Sequence, residues 1–510
     1  MPRSPDPARR TIGTLAVLAG AVTALLALLA IPWTPPAQNL HSGDVALAER
    51  VRQLLPDTGS VGVSVTLSEQ GRTRQAALGT LDGSHPLAPD APFETASVQK
   101  LLTAWLLADM VTTGQVALDD TLAELWPGTD FADADLANTT LEQLATHTSG
   151  LPSFPVGTDQ GLYRALPDYL LGGDAYAHLG DPLAAAAVTD VGRGAGFAYS
   201  NLGYAVLGET LAHAAGQDYA DLLAERVLRP LGMNHTEIRT SGVPDGAALP
   251  HRGPSIPVVP WTGLGYAPVG TGTWTTASDL NRLLQAAMDR GSPVSRLAQL
   301  PRAGVADYQA HSGRVGLGWM LWQQDGTEIA WHNGLTSGTR TFVAHTDDGR
   351  SVVVMANSTR APVEHIGFEL LGVDAPELAA ADSVPLVPIV ITTLLCSAAP
   401  ALALSRMLRT GVRRFSRPLD RLAIVAHLLW GSALWLLGLR VGEWSAVPVA
   451  LWVCGGGLLG AAVLVGLHQW RRVPWARGRR PWLRWVVFAV PTAAAAALLA
   501  LEVVVLAQLP

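Results

Sequence analysis

Phe93-Glu94-Thr95-Ala96-Ser97-Val98-Gln99-Lys100 runs directly into Leu101-Leu102-Thr103-Ala104-Trp105-Leu106-Leu107-Ala108-Asp109-Met110-Val111. Leu101, Ala104, Trp105, Leu107, Ala108 and Val111 recur at helical spacing, which predicts a buried helix with Ser97 in its first turn and Lys100 three residues on. Three residues is nearly one turn, so hydroxyl and amine project from one face, and a lysine kept neutral by a pocket can take the serine's proton. The helix N-terminus adds free N–H groups and partial positive charge where an oxyanion would form. Ser-x-x-Lys alone is a weak signal, but of the 35 basic residues 34 are arginine, and Lys100 is the one lysine. Chance would place a lone lysine three after a serine roughly 5% of the time. Arginine stays protonated and cannot act as a base, so the chain keeps lysine where deprotonation matters.

Outward from this stretch, charge is partitioned. Residues 32–384 carry 19 basic and 38 acidic side chains, whereas 385–510 carry 13 arginines against Asp420, Glu443 and Glu502. With 49% hydrophobic and 15% charged residues in 510, this describes an acidic soluble domain joined to a basic, membrane-embedded module. An acidic domain repels phosphate, so nucleic acid is excluded as its partner. Cys396 and Cys454 both lie in apolar spans, so no disulfide framework holds the soluble part. No Cys/His cluster has zinc-ligand spacing and no glycine-rich phosphate loop is present, so neither a metal nor a cofactor is expected.

Residues 1–10 hold Arg3, Arg9 and Arg10, and the uncharged run from Thr11 to Trp33 is expected to be an uncleaved transmembrane anchor over 11–33. A Pro-rich linker, 34–44, leads to the soluble domain, 45–375. There Ser42–Leu55 reads as a helix, and Val61–Leu67 and Thr73–Leu78 read as a hairpin across Gln70-Gly71. The middle, 115–310, reads as helix-rich, and Gly316–Trp322, Glu328–His332, Thr339–His345 and Ser351–Ala356 as consecutive antiparallel strands. The expected fold is therefore α+β: an antiparallel sheet shared by both ends of the domain, flanked by helices and carrying an all-helical subregion. Four more apolar spans follow, at about 385–405, 422–439, 446–467 and 486–508. The loops 406–421 and 471–484 hold six arginines each, so the positive-inside rule puts them in the cytoplasm and the soluble domain and C-terminus outside. The expectation is a multi-pass protein of the cell membrane with an extracytoplasmic catalytic domain and the lipid bilayer as a partner. Glu502 and His427 are the ionisable side chains inside these spans, and Gly455-Gly456-Gly457 and Gly460 read as close-packing positions.

Two further motifs carry polar side chains. Gly196-Phe197-Ala198-Tyr199-Ser200-Asn201-Leu202-Gly203 places a tyrosine, a serine and an asparagine at a loop-to-helix junction, where Asn201 could equally be a helix cap. Trp331-His332-Asn333-Gly334-Leu335-Thr336-Ser337-Gly338 ends one strand and turns toward the next.

Taken together, Ser-x-x-Lys, Tyr-x-Asn and His-x-Gly resemble, in order and spacing, the penicillin-recognising serine hydrolases: class C β-lactamases, low-molecular-weight penicillin-binding proteins, D-aminopeptidases and related serine esterases. The resemblance covers about 45–375 and extends to Leu144-Ala145-Thr146-His147-Thr148-Ser149-Gly150-Leu151-Pro152 and Arg229-Pro230-Leu231-Gly232-Met233, read as loop and packing elements, with His147 structural. It implies Ser97 as the acylated nucleophile, with Lys100 and Tyr199 as the pair that moves its proton. It further implies Asn201 as the side chain that binds a substrate amide and steadies Lys100, with His332 and Gly334 as the third motif. The N–H groups of Ser97 and Leu335 then form the oxyanion hole. His332 stands where class C β-lactamases have lysine, which weakens a fixed charge for a substrate carboxylate; Arg340 is a candidate to restore it. The resemblance implies an acyl-enzyme hydrolase of the bacterial cell envelope acting on a D-alanyl peptide, an ester or a β-lactam. A D-alanyl peptidase or esterase is the expectation and a class C-like β-lactamase the alternative. A β-lactam-acylated sensor, or a membrane scaffold without turnover, are readings from other classes.

Overall fold

The computed structural model describes residues 7–30, 40–55, 61–155, 170–191, 196–253, 256–308, 311–324, 326–373, 386–408, 419–442, 444, 447–476 and 481–509. Most of the expected 34–44 linker and of the 406–421 loop, and part of 471–484, lie outside these residues. The chain divides into two compact units, one of residues 34–381 and one of residues 1–33 with 382–509.

The larger unit is built on a nine-stranded antiparallel sheet. Its strands in chain order are β1 (His41–Gly43), β2 (Gly62–Glu69), β3 (Arg72–Gly79), β4 (Ala303–Tyr308), β5 (His311–Val315), β6 (Met320–Gln324), β7 (Thr327–Leu335), β8 (Arg340–Thr346) and β9 (Ser351–Ala356). They lie side by side as β1-β3-β2-β9-β8-β7-β6-β5-β4, so β9 joins the N-terminal hairpin to the C-terminal strands. The β2–β3 turn uses left-handed Gln70 and Gly71 (φ +52° and +72°), the geometry a two-residue hairpin requires. Alternation sends Val63, Val65 and Leu67 to one face, under helices Val45–Leu54 and Val363–Leu371. Ser64, Thr66 and Ser68 face the other way and are also buried; Ser68 donates to Asn281 Oδ1 at 3.1 Å, on helix Ala277–Met288. Helices therefore cover both faces, as expected for α+β.

Three expectations shift. Val45–Leu54 is helical, capped by Asp44 accepting from Leu47 N–H at 2.8 Å, while His41–Gly43 pairs with β3. Residues 316–319 are not strand: Gly318 adopts φ +73° and lies against the Tyr204 hydroxyl and Ala104 Cβ, which turns the chain and buries Leu317 and Trp319. Strands β4 and β5, at the sheet edge, fall within or just beyond the stretch read as helix-rich.

Among the described residues of the other unit four helices are long and apolar enough to cross a membrane: Leu386–Leu408, Arg421–Val441, Ala450–Trp470 and Phe488–Ala507. Helix Pro7–Ala30 contributes a shorter apolar stretch, Gly13–Leu29. Its Gly20 and Thr23 meet Gly457 and Gly460, where a Cβ on Gly460 would collide with Thr23. Trp435 and Trp452 stack with centroids 4.2 Å apart, and each indole N–H donates to the other's carbonyl at 2.8 and 3.0 Å. Pro400 lacks an N–H, so the helix widens over Leu394–Ala398, and the freed Cys396 carbonyl rests where a Cβ on Gly455 would have to be.

Candidate active site

Ser97 sits in a tight turn, Ala96–Val98, that feeds helix Gln99–Thr112. Ala96 before it is left-handed (φ +52°), which costs an alanine roughly 1–2 kcal/mol and persists because the surroundings enforce it. Gly270, at φ +109°, lets the backbone press on the Ala96 carbonyl, where any Cβ would collide. Gly334 does the same from β7, since its Cβ would lie 2.8 Å from both Ala96 Cβ and Ser97 N. The Thr341 hydroxyl on β8 donates to the Thr95 carbonyl at 3.1 Å, and Thr95 N–H to Thr273 O at 2.8 Å. The turn is thus held from three sides, with Ser97 half-buried at its apex.

Lys100 is fully buried, and its Nζ donates to Ser97 Oγ at 3.0 Å. Burial holds its ammonium pKa well below the usual lysine range, which keeps the amine neutral with a lone pair available to receive a proton. The Tyr199 ring lies 4.9 Å from Nζ, and Tyr204 stands behind at 5.8 Å with its hydroxyl committed to Ala145 O at 2.6 Å. The Tyr199 ring is tilted on that of His147 (centroids 4.4 Å apart), whose Nδ1 accepts from Ser200 N–H at 3.1 Å. His147, itself left-handed at φ +57°, is held neutral by burial and then by Lys100. It lies against Tyr199 as part of the loop 144–152.

Helix Asn201–Ala215 begins next, but Ser200 rather than Asn201 is its cap, accepting from Gly203 N–H at 2.8 Å. Asn201 is freed for the site. Its Nδ2 donates to the Tyr176 hydroxyl at 3.1 Å, not to Lys100, and its Oδ1 is buried without a partner among the described residues. Tyr176 packs with Phe154, Trp261 and Tyr266, a patch of aromatic rings that the sequence patterns did not connect to the site.

From β7, His332 donates from Nδ1 to Asn333 O at 2.6 Å, leaving a buried Nε2 lone pair with no partner among the described residues. Burial and then Lys100 push its pKa down to about 3, so it is a neutral imidazole. Its ring centroid is 6.3 Å from that of Tyr199. Arg340 does not offer a free cation: both Glu364 carboxylate oxygens accept from it at 2.8 Å. The loose expectation that Arg340 supplies a carboxylate contact is therefore corrected; Glu364, buried and also accepting from Asn333 Nδ2 at 2.8 Å, takes that role away. Leu335, last residue of β7, has an exposed side chain and pairs with Arg340.

Glu94, three residues before Ser97, carries no motif signal in the sequence. It is buried, and accepts from Trp261 N–H at 2.9 Å and from the Thr336 and Thr339 hydroxyls at 2.8 and 2.9 Å. Chemically, the assembled groups bring together a hydroxyl, an adjacent amine and a strand edge held against the hydroxyl residue's own N–H, an arrangement able to serve as nucleophile, base and oxyanion donor. Among the described residues no group of His, Cys, Asp or Glu is arranged to hold a metal ion.

The Beta-lactamase family profile matches residues 47–370. Penicillin-binding protein 4 of Amycolatopsis lactamdurans is 26% identical over 375 residues, covering 66% of this chain and 93% of the relative. The D-alanyl-D-alanine-carboxypeptidase/endopeptidase AmpH of Escherichia coli (strain K12) is 27% identical over 281 residues, covering 52% of this chain and 70% of the relative. A class C β-lactamase from Rhodobacter sphaeroides shares the fold at a TM-score of 0.54 and 19% identity, covering 64% of this chain and 99% of that one. The D-alanine carboxypeptidase AmpC from Burkholderia cenocepacia does so at 0.51 and 22% identity, covering 64% and 99%. With its family profile spanning most of the larger unit, the chain belongs to the Beta-lactamase family, the serine β-lactamase and penicillin-binding-protein group.

Proposed function

We propose that this protein is a membrane-anchored, extracytoplasmic serine hydrolase that works through an acyl-enzyme on Ser97. The observation that carries the reading is the buried Lys100 amine, 3.0 Å from Ser97 Oγ and shifted toward its neutral form. In the first step Lys100 takes the Ser97 proton, directly or through the Tyr199 hydroxyl, as Oγ bonds to the substrate carbonyl carbon. The carbonyl oxygen becomes an oxyanion facing the N–H groups of Ser97 and Leu335. The proton passes to the departing amine or alcohol as its bond to carbon breaks, and water, deprotonated by the same base, releases the acid from Ser97. Asn201 binds the acyl side's amide, with Gly334 keeping β7 close.

The preferred substrate class is a D-alanyl peptide cleaved at an internal bond, or an ester, in keeping with the carboxypeptidase/endopeptidase named among the relatives. Of the two side chains offered for a substrate carboxylate, His332 is neutral and Arg340 is held by Glu364, which favours ester or internal amide donors over substrates recognised by a free carboxylate. The four apolar helices and the arginine-rich loops support a multi-pass topology with the 45–375 domain outside. Turnover of aryl esters and D-alanyl peptides by detergent-solubilised protein, beside Ser97→Ala and Lys100→Arg, tests the chemistry. Both variants should be inactive, and a fully active Ser97→Ala would overturn the reading. A reporter fused after Pro510 should be active only outside the cytoplasm.

A further inference from the structure

Strand β7 ends at Leu335, and the chain turns through Thr336-Ser337-Gly338-Thr339 into β8. The turn is organised by one hydroxyl. Thr336 Oγ1 accepts from the N–H groups of Gly338 and Thr339 at 3.3 and 3.0 Å, while Thr336 N–H donates to Thr339 O at 2.9 Å. A hydroxyl that accepts two N–H bonds has its own proton left to place, and Thr336 gives it to Glu94 at 2.8 Å. The Thr339 hydroxyl does likewise at 2.9 Å, and the third bond, from Trp261 N–H, ties in the segment that also reaches Ser337 through the Trp261 indole at 3.1 Å. Glu94 in turn begins the segment Glu94-Thr95-Ala96-Ser97. One buried carboxylate thus links the approach to the nucleophile with the turn that follows Leu335. Neither Lys100 nor any other group of the proton-transfer machinery uses it.

We propose that Glu94 is a positioning residue that fixes the Leu335–Thr339 turn against Ser97, so that the Leu335 N–H stands where the developing oxyanion needs a donor. The proposal deepens the hydrolase reading above, on which its catalytic consequence rests. Three donors fit an ionised carboxylate, whereas a protonated one must itself donate and gives up one of them. The bond network is cooperative: if Thr336 loses its acceptor, its hydroxyl turns and the two turn N–H groups lose theirs. The titratable side chain facing Glu94 is Asp174, whose carboxylate is occupied by Thr262 N–H and hydroxyl at 2.6 and 2.7 Å. Strand Thr273–Thr275 brings no titratable group, and Arg340 beside the turn is held by Glu364. Burial, then Asp174, raises the Glu94 pKa to about 7 against its hydrogen bonds, so the latch changes state across neutral pH.

The test is amide hydrogen exchange of the full chain in detergent, corrected for intrinsic rates, beside aryl-ester kinetics, for wild type, Glu94→Gln and Thr339→Val. Losing one such bond corresponds to roughly fivefold to tenfold faster exchange. The expected result is that acceleration confined to peptides over 335–340 in both variants. In wild type the same peptides should exchange faster at pH 5.5 than at 8.5, a difference that Glu94→Gln removes. The kcat should fall roughly tenfold to a hundredfold with KM little changed, because a donor displaced from the oxyanion is felt in the transition state. Unchanged exchange over 335–340 in both variants overturns the proposal, as does accelerated exchange with wild-type kcat. Should Glu94→Gln not fold, Thr339→Val, which removes one hydroxyl and keeps the shape, decides by the same two readings. If wild type and Ser97→Ala are equally inert, the hydrolase reading falls, and the exchange data still decide whether Glu94 holds the turn.

Discussion

Gly334→Ala is the smallest change that should separate the oxyanion donors from the nucleophile. The new methyl would stand 2.8 Å from Ser97 N and Ala96 Cβ, and closer to the Thr341 hydroxyl. Bringing the Ser97 and Ala96 contacts to ordinary van der Waals separation requires roughly 0.6 Å of movement, and the Thr341 contact requires more. Movement is costly in every direction. Ala96 is pinned behind by Gly270, Thr341 is bonded to the Thr95 carbonyl, and β7 is paired along its length with β8. Overpacking of this kind costs about 1–3 kcal/mol of stability, leaving the domain folded with a melting temperature a few degrees lower. Catalysis should suffer more, because a misplacement approaching 1 Å costs on the order of a hundredfold. The expected loss in aryl-ester kcat is therefore between about tenfold and a hundredfold, with KM little altered. A Gly334→Ala enzyme that keeps its kcat within about threefold would refute the claim that β7 packs tightly on Ser97 for a catalytic reason.

Other perturbations probe other parts. Lys100→Met should abolish turnover yet raise the melting temperature at pH 7. A buried lysine whose folded pKa is depressed makes the unfolded state bind the extra proton, so wild-type stability climbs as pH rises toward 10.5, and the gap to the methionine variant should close over that range. His332→Lys puts a cation where the imidazole is neutral, and should raise acylation by a penicillin relative to a neutral aryl ester by roughly tenfold, read as the ratio of second-order rate constants. Gly460→Val would drive its side chain into Thr23 and should lower the thermal stability of the detergent-solubilised protein, whereas Gly13→Val, where a Cβ meets nothing, should not.

What the sequence disclosed depended on how local the cause was. Ser97 and Lys100 are three apart where the short turn Ala96–Val98 runs straight into helix Gln99–Thr112 rather than within the helix as expected, so near-helical geometry brings them together, and the lone lysine marked the spot. Strands β2, β3, β7, β8 and β9 alternate between turn residues, and their pairing follows from that pattern. Glu94 is different. Its partners Thr336 and Thr339 are more than 240 residues away in sequence, and nothing local distinguishes it from a surface glutamate. Arg340 misled because its partner Glu364 lies on a separate element, helix Val363–Leu371, which no local pattern around Arg340 announces. Asn201 shows the limit of propensity: asparagine and serine are both good caps, and only the geometry says that Ser200 takes the post. The run Gly316-Leu317-Gly318-Trp319 is apolar enough for a strand, yet left-handed Gly318 makes it a buried turn.

The most direct test of the Ser97–Lys100 assignment is intact-protein mass after brief mixing of the detergent-solubilised protein with a reactive acyl donor, an aryl ester beside a penicillin, followed by peptide mapping. The account predicts one acyl group, on the peptide containing Ser97, absent from Ser97→Ala and strongly slowed in Lys100→Arg. An adduct on another residue, or one formed equally by Lys100→Arg, would contradict it.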